Sequence, residues 1–157
     1  MSGRIEARLK ELGIELPEAR APKVARIKGA NIAGNMLYVS GQVPQWNGEL
    51  PYIGKVGRDF SVEEGTAAAR LCALNVLAHA KEALDGDLDR IVKVAKLRGY
   101  VNATEDLDMV GGVVNGASDL MVEVFGEAGQ HARTVAGVTV MPLGVAIEVE
   151  ADFLIEG

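Results

Sequence analysis

Cysteine is almost missing from this sequence: Cys72 stands alone among 157 residues. One thiol closes no intrachain disulfide, which excludes the small stapled folds of oxidising compartments. Its place beside Leu71 and Leu74 in a helical pattern predicts a buried, inert sulfur. Histidine is nearly as scarce. His79 and His131 fall in different elements, with no clustered Cys or second His, so no metal site is expected. His79-Ala80-Lys81-Glu82 has a ligand-like spacing, but on a helix such a pair reads as an exposed face. Aromatics amount to three Phe, three Tyr and one Trp, too few for a base-stacking platform. Basic charge is also short: 16 Lys and Arg against 22 Asp and Glu give a formal net charge of -6, the wrong sign for neutralising a phosphate backbone. The Lys93, Lys96, Arg98 series reads as the wet face of a strand. The longest nearly apolar run, Ala136 to Ile147, is broken by Thr139, Pro142 and Gly144 and falls short of a membrane span of about 20 residues. Met1 to Leu12 is charged and amphipathic, without the apolar stretch and small-residue cleavage site of a signal peptide. A cytoplasmic protein with no membrane partner is expected.

What the chain does have is core. Hydrophobic residues make up 48% and charged residues 24%, enough apolar surface for one domain spanning 1–157, with 1–23 as a leading helix and connector. Ile5, Leu9 and Leu12 stand at helical spacing, with Gly13 as the stop. Two strands, Val24 to Ile32 and Met36 to Val43, flank the hairpin turn Ala33-Gly34-Asn35. Gln45 to Gly57, dense in Gly, Pro and Asn, reads as a long surface loop with room for a brief strand inside it. Ser61-Val62-Glu63-Glu64 is a capping box that opens a helix to about Leu84, with Ala67, Leu71, Leu74, Leu77, Ala78 and Leu84 on its buried side. Ile91 to Val101 follows as a strand with Ile91, Ala95, Leu97 and Val101 on one face and Lys96, Arg98, Tyr100 and Asn102 on the other. Thr104 caps a second helix, Glu105 to Phe125, whose Gly111, Gly112 and Gly116 allow close packing on the sheet. Thr134 to Met141 and then Val145 to Glu156, a strict alternation, close the chain as two strands.

Both helices fall between strands and pack on one face of the sheet, which makes an α+β fold. The second face, a mixture of Thr, Val and charged residues, then suits a subunit interface in a cyclic oligomer with ligand pockets at its seams. A monomer with a wetted sheet face is the alternative. No Gly-rich phosphate loop and no Ser/His/Asp motif is present, and two isolated histidines give little ground for a nuclease acid/base pair. Gln130-His131-Ala132-Arg133-Thr134 is the remaining polar segment. Arg133 at a strand edge can present a planar fork to a carboxylate, with the Thr134 hydroxyl and a backbone amide as further donors, or sit in a surface salt bridge. Glu148 is one of several acids on the wet face of the last strand.

Two motifs narrow these choices. Leu37-Tyr38-Val39-Ser40-Gly41-Gln42-Val43-Pro44 resembles the Ser-Gly-Gln-hydrophobic-Pro motif of the Rid family, also called YjgF-like or L-PSP endoribonuclease-like. Ala132-Arg133-Thr134 with Val138, Met141-Pro142 and Ile147-Glu148-Val149-Glu150 resembles that family's C-terminal signature, and the likeness spans roughly Val24 to Phe153. The resemblance implies a chorismate-mutase-like fold, a homotrimer and pockets between subunits in which reactive enamines and imines, such as 2-aminoacrylate, are hydrolysed to 2-keto acids and ammonia. It further implies that Arg133 and Thr134 bind the substrate carboxylate, that Ser40 and Gly41 line the pocket, that Asn115 approaches it, and that Glu148 positions water. No cofactor is demanded, since an imine carbon is already electrophilic. The chain departs from short members by its leading helix, by its Trp46 to Gly57 loop, by Arg26 or Ile27 where they carry Tyr, and by Val135 where some carry Cys. It therefore resembles a longer-chain subgroup. A noncatalytic trimer that binds keto acids is the second reading, and the ribonuclease of the family's older name is disfavoured by the acidic balance.

Overall fold

Ile5 and Leu9, one helical turn apart, are both buried, and the chain around them forms α1 (Arg4–Glu11). The computed structural model describes residues 3–157. α1 stops at Gly13, which takes φ +68° and donates to Lys10 O at 3.0 Å while Ile14 donates to Leu9 O at 2.9 Å, the paired bonds that satisfy the last carbonyls of a helix. At its other end the Asp89 carboxylate accepts from the amides of Arg4 and Ile5, both at 2.8 Å, so a residue far along the chain caps this helix.

Among the described residues five strands form one sheet: β1 (Ala30–Ala33), β2 (Met36–Gln42), β3 (Ile91–Asn102), β4 (Ala132–Val138) and β5 (Ile147–Ile155), in the order β1-β2-β5-β3-β4. All neighbours are antiparallel except β3 and β4, which run parallel and are joined through a helix, as a parallel pair requires. That helix is α3 (Val110–Phe125), and α2 (Val62–Ala83) precedes β3. The capping box forms as the spacing predicts, with Glu64 N donating to Ser61 Oγ at 3.1 Å and Ser61 N to Glu64 Oε1 at 3.1 Å. Both helices cover one face, where Leu37, Val39, Leu97, Val149, Ala151 and Phe153 meet Ala69, Cys72, Val76, Leu77, Val114 and Leu120. The alternation of β5 is complete, with every odd residue from Ile147 to Ile155 buried. Among the described residues no helix is long and apolar enough to cross a membrane.

The structure corrects several expectations. Val24 to Lys28 lies outside the sheet, with Val24 fully exposed, because the β1–β2 ladder ends at Ala30 opposite Val39. The loop after β2 is not wholly superficial: Gln45 and Val56 are buried, and Val56 bridges Ala103. That bridge also displaces the start of α3. Thr104 donates its amide to Val56 O at 3.1 Å and lies beyond the end of the strand, ahead of a turn, and the helix begins only at Val110 without a side-chain cap. Leu77, Ala78 and Leu84 are buried as expected, but the inward stripe of α2 also takes Ala68, Ala69, Cys72, Ala73, Val76 and Ala80, while Ala67 is exposed and Leu71 and Leu74 are half-buried. Its small residues let the helix approach the sheet. His79 is buried rather than exposed, its Nε2 donating to Arg20 O at 3.2 Å, and burial lowers its pKa. In β3, irregularities at Ile91/Lys93 and Val94/Lys96 put Val94 in the core in place of Ala95. Asn102 is buried as well, donating to Val145 O and Gly54 O and accepting from Lys55 Nζ. β4 begins at Ala132 and ends at Val138, so Arg133 lies inside the strand, and β5 begins at Ile147.

Gly116 serves helix-on-helix packing rather than helix-on-sheet packing: a Cβ there would lie 2.0 Å from the Thr66 carbonyl oxygen of α2. The sheet makes its own room at Gly99, where a Cβ would meet Val114 Cγ2 at 2.6 Å. Gly116→Ala should therefore lower the urea midpoint, by roughly 1–3 kcal/mol of overpacking, although Ala is the better helix former. Gly112→Ala, whose Cβ would find only Met109 Cε at 3.5 Å, should be neutral or raise stability by up to about 1 kcal/mol. Equal effects at the two positions would contradict this packing.

Candidate functional site

Ser40, Gly41 and Gln42 form a β-bulge. Val39 pairs with Ala151 and Gln42 with Val149, so three steps along β2 oppose two along β5. Each residue of the motif has a local task. Gln42 turns its side chain back, and its Nε2 donates to Ser40 O at 2.9 Å. Ser40 holds the preceding segment through its amide to Gly29 O, at 2.8 Å, and its hydroxyl to Lys28 O, at 2.6 Å. Gly41 leaves room for an acid: a Cβ there would fall 2.1 Å from Glu148 Oε1.

The bulge forms the floor of a cavity of about 570 Å³. Arg20, Ala21, Pro22, Ile27 and Gly29 make one wall, Gln45, Gly48 and Leu50 another, and Pro142, Leu143 and Glu148 close the side toward β5. The connector wall is pinned from beneath. Asn75 of α2 bonds the Gln45 side chain and donates from Nδ2 to Gln45 O at 2.8 Å, while Gln45 Nε2 reaches Glu18 O at 3.3 Å. Among the described residues Glu148 is the one carboxylate that lines the cavity. Burial, and secondarily the charge of Glu150, raise its pKa.

Arg133 stands elsewhere. It pairs with Leu97 and so shares the helix-covered face of the sheet. Its Nη1 donates to Asn115 Oδ1 at 2.8 Å and to Ser118 Oγ at 3.2 Å, both on α3. That uses both Nη1 hydrogens, while Nε and Nη2 form a free edge. Among the described residues no carboxylate lies within ion-pair distance of Arg133. A Cβ on Gly111 would come to 3.4 Å from Nη2, which puts the guanidinium beside the first turn of α3. Behind it, Ser118 Oγ lies 2.9 Å from His131 Nε2, and His131 Nδ1 donates to Gly129 O at 2.6 Å.

Asn115 and Arg133 are thus together, and so are Ser40, Gly41 and Glu148. The two groups do not meet within one chain. Glu148 pairs with Tyr100 on the open face, opposite to Arg133, with β3 between their strands. Thr134, opposite Arg98, also points to the open face. Ser118 and Gln42 are not among the residues the motifs singled out for the site, and His131 stands in the sequence as an isolated histidine. Gln42 was visible as the third residue of its motif. Ser118 lies one helical turn beyond Asn115, a spacing that puts both on one side of α3.

The family described as "YjgF/chorismate mutase-like, putative endoribonuclease" matches over residues 6–151. The chain is 45% identical to protein TCP17 of Trypanosoma cruzi over 151 residues, 96% of this chain and 93% of that protein. Atu1372 of Agrobacterium tumefaciens, whose crystal structure was solved with its function unknown, is 43% identical with a TM-score of 0.89, covering 98% of this chain and 94% of that one. A Shewanella oneidensis protein described as a "putative endoribonuclease" is 38% identical with a TM-score of 0.93, covering 98% and 100%.

The raised pKa of Glu148 sets a direction for stability. A carboxyl that holds its proton more tightly when folded adds stability below its ordinary range, and that contribution is lost as pH rises through the raised value. Glu148→Gln should therefore have a higher urea midpoint than the parent at about pH 8, with the gap closing toward about pH 4. A gap that widens on acidification would show that the carboxylate is stabilised in its charged form.

Proposed function

Because the chain belongs to the YjgF/chorismate mutase-like family, we propose that it is an enamine/imine deaminase that holds a small 2-imino acid at a seam between two copies and hydrolyses it to a 2-keto acid and ammonia. The observation that carries this reading is the state of Arg133. Two neutral oxygens, from Asn115 and Ser118, fix its plane without cancelling its charge, and the Nε and Nη2 edge is free for a bidentate carboxylate. The peptide dipoles at the start of α3, beside Nη2, favour an anion in the same place.

Glu148 supplies the proton chemistry in this reading. Burial brings its carboxyl closer to neutrality, where a general base is most effective. As ionised Glu148 takes a proton from water, the water oxygen bonds to the iminium carbon and gives a carbinolamine. The proton then passes to nitrogen, Glu148 takes the hydroxyl proton as the carbonyl forms and the carbon–nitrogen bond breaks, and ammonia leaves. Arg133 and Glu148 stand on opposite faces, so the guanidinium of one copy meets the cavity of another. A homotrimer closes such a heterologous seam three times over.

Ile27 favours a second reading. It lines the cavity where the resemblance leads one to expect a tyrosine hydroxyl, and a site short of that donor suits binding of a keto acid without turnover. The ribonuclease of the Shewanella relative's description is disfavoured by the net charge of -6.

Keto-acid release from a freshly generated 2-imino acid should fall at least about 100-fold in Arg133→Ala, the loss of two charge-assisted hydrogen bonds. Normal turnover by that variant would reject the assignment, and binding of pyruvate by calorimetry with no turnover in the parent would favour the second reading. Co-expression of Arg133→Ala with Glu148→Gln tests the seam. Random mixing in a cyclic oligomer returns intact residues to about one quarter of the sites, whereas a site built within one chain recovers nothing.

A further inference from the structure

The geometry points to Ser118 and His131 as positioning residues for Arg133, a hydrogen-bond relay that aims the guanidinium at its carboxylate ligand; this rests on the ligand-binding role proposed for Arg133. The relay has a fixed direction. Gly129 O can only accept, so the 2.6 Å contact puts a hydrogen on His131 Nδ1. In the neutral ring Nε2 is then an acceptor, and at 2.9 Å it takes the Ser118 hydroxyl hydrogen. With that hydrogen turned toward the imidazole, the Ser118 oxygen offers a lone pair to Arg133 Nη1 at 3.2 Å. Each donor therefore meets an acceptor, from Arg133 through Ser118 and His131 to the Gly129 carbonyl.

The parts of this relay are set by rigid elements. Gly129 is itself fixed by close packing, since a Cβ there would lie 2.1 Å from Met121 O of α3. Ser118 is three residues beyond Asn115, so the two oxygens that hold Nη1 come from the same side of one helix. His131 lies two residues before Arg133, at the entry to β4, so the histidine and the guanidinium extend toward α3 from the same side of the chain. The relay contains no acid. An aspartate or glutamate in the place of Ser118 would hold Nη1 more strongly but would neutralise the charge that the ligand needs. Neutral acceptors give orientation and leave the charge, and a serine whose hydrogen is committed to histidine is an acceptor of fixed direction.

The test uses the full-length protein and pyruvate, a stable 2-keto acid, as the probe. Ser118→Ala and His131→Leu should weaken pyruvate binding about 5- to 30-fold, as expected for loss of one oriented hydrogen bond to a charged group, with unfolding midpoints close to the parent's. His131→Gln, which returns an acceptor near the Nε2 position, should bind within about 3-fold of the parent, a rescue that general loosening of the fold would not give. The Arg133 Nε–H resonance should broaden in Ser118→Ala and His131→Leu and stay sharp in His131→Gln. If Arg133→Ala abolishes pyruvate binding while Ser118→Ala and His131→Leu leave it unchanged, the relay is wrong and the role of Arg133 stands. If Arg133→Ala also binds pyruvate normally, both fall.

Discussion

A strand presents alternate residues to opposite faces, and neither packing nor loop movement changes that within an intact sheet. Here the rule separates the two groups with the most chemistry. Arg133, opposite Leu97, belongs to the face covered by helices, and Glu148, opposite Tyr100, to the face without them. Among the described residues the cavity at the Ser40–Gly41 bulge has its acid but no arginine beyond Arg20 of the connector, and Arg133, with its orienting partners, does not line it. The assembly proposed for this protein follows from that separation. A second copy can bring the free edge of one Arg133 over the cavity of its neighbour, and the open face and the unpaired edge of β4 are the surfaces available for it.

The two half-sites are held by different means. Around the cavity the backbone does most of the work: the bulge is closed by the Gln42 side chain, the connector hangs from Ser40, and the buried Asn75–Gln45 pair ties α2 to the wall. Around Arg133 the helix does it. α3 can sit close enough for Asn115 and Ser118 to reach the guanidinium because Gly99 admits Val114 and Gly116 admits the Thr66 carbonyl. Core packing of this kind leaves side chains little room to shift, since interiors are packed as densely as organic crystals.

Electrostatics follow the same division. Glu148 is half-buried against a glycine and has a carboxylate, Glu150, as its charged neighbour on the strand, and both effects favour its protonated form. Farther along the open face the acids are compensated: Arg98 pairs with Asp152 at 3.1 Å and Tyr100 donates to Glu150 at 3.3 Å. Glu148 has no such partner among the described residues.

Local rules were enough for the elements they govern. The Ser61 capping box, the Gly13 stop, the Gly34-Asn35 turn and the alternation of β5 depend on residues a few positions apart, and the sequence alone determined them. The resemblance in two short motifs identified the family for a related reason, since a bulge that needs Gly at 41 and Gln at 42 permits few other residues. Long-range pairing decided the rest. Thr104 resembles a helix cap but is tied by its amide to Val56 O, His79 resembles a surface residue but is covered by the connector, and Val94 replaces Ala95 because a bulge shifts the period. Only the tertiary structure could put Arg133 and Glu148 on opposite faces, because facing is set by which residues pair across strands, and pairing joins positions that no local spacing connects.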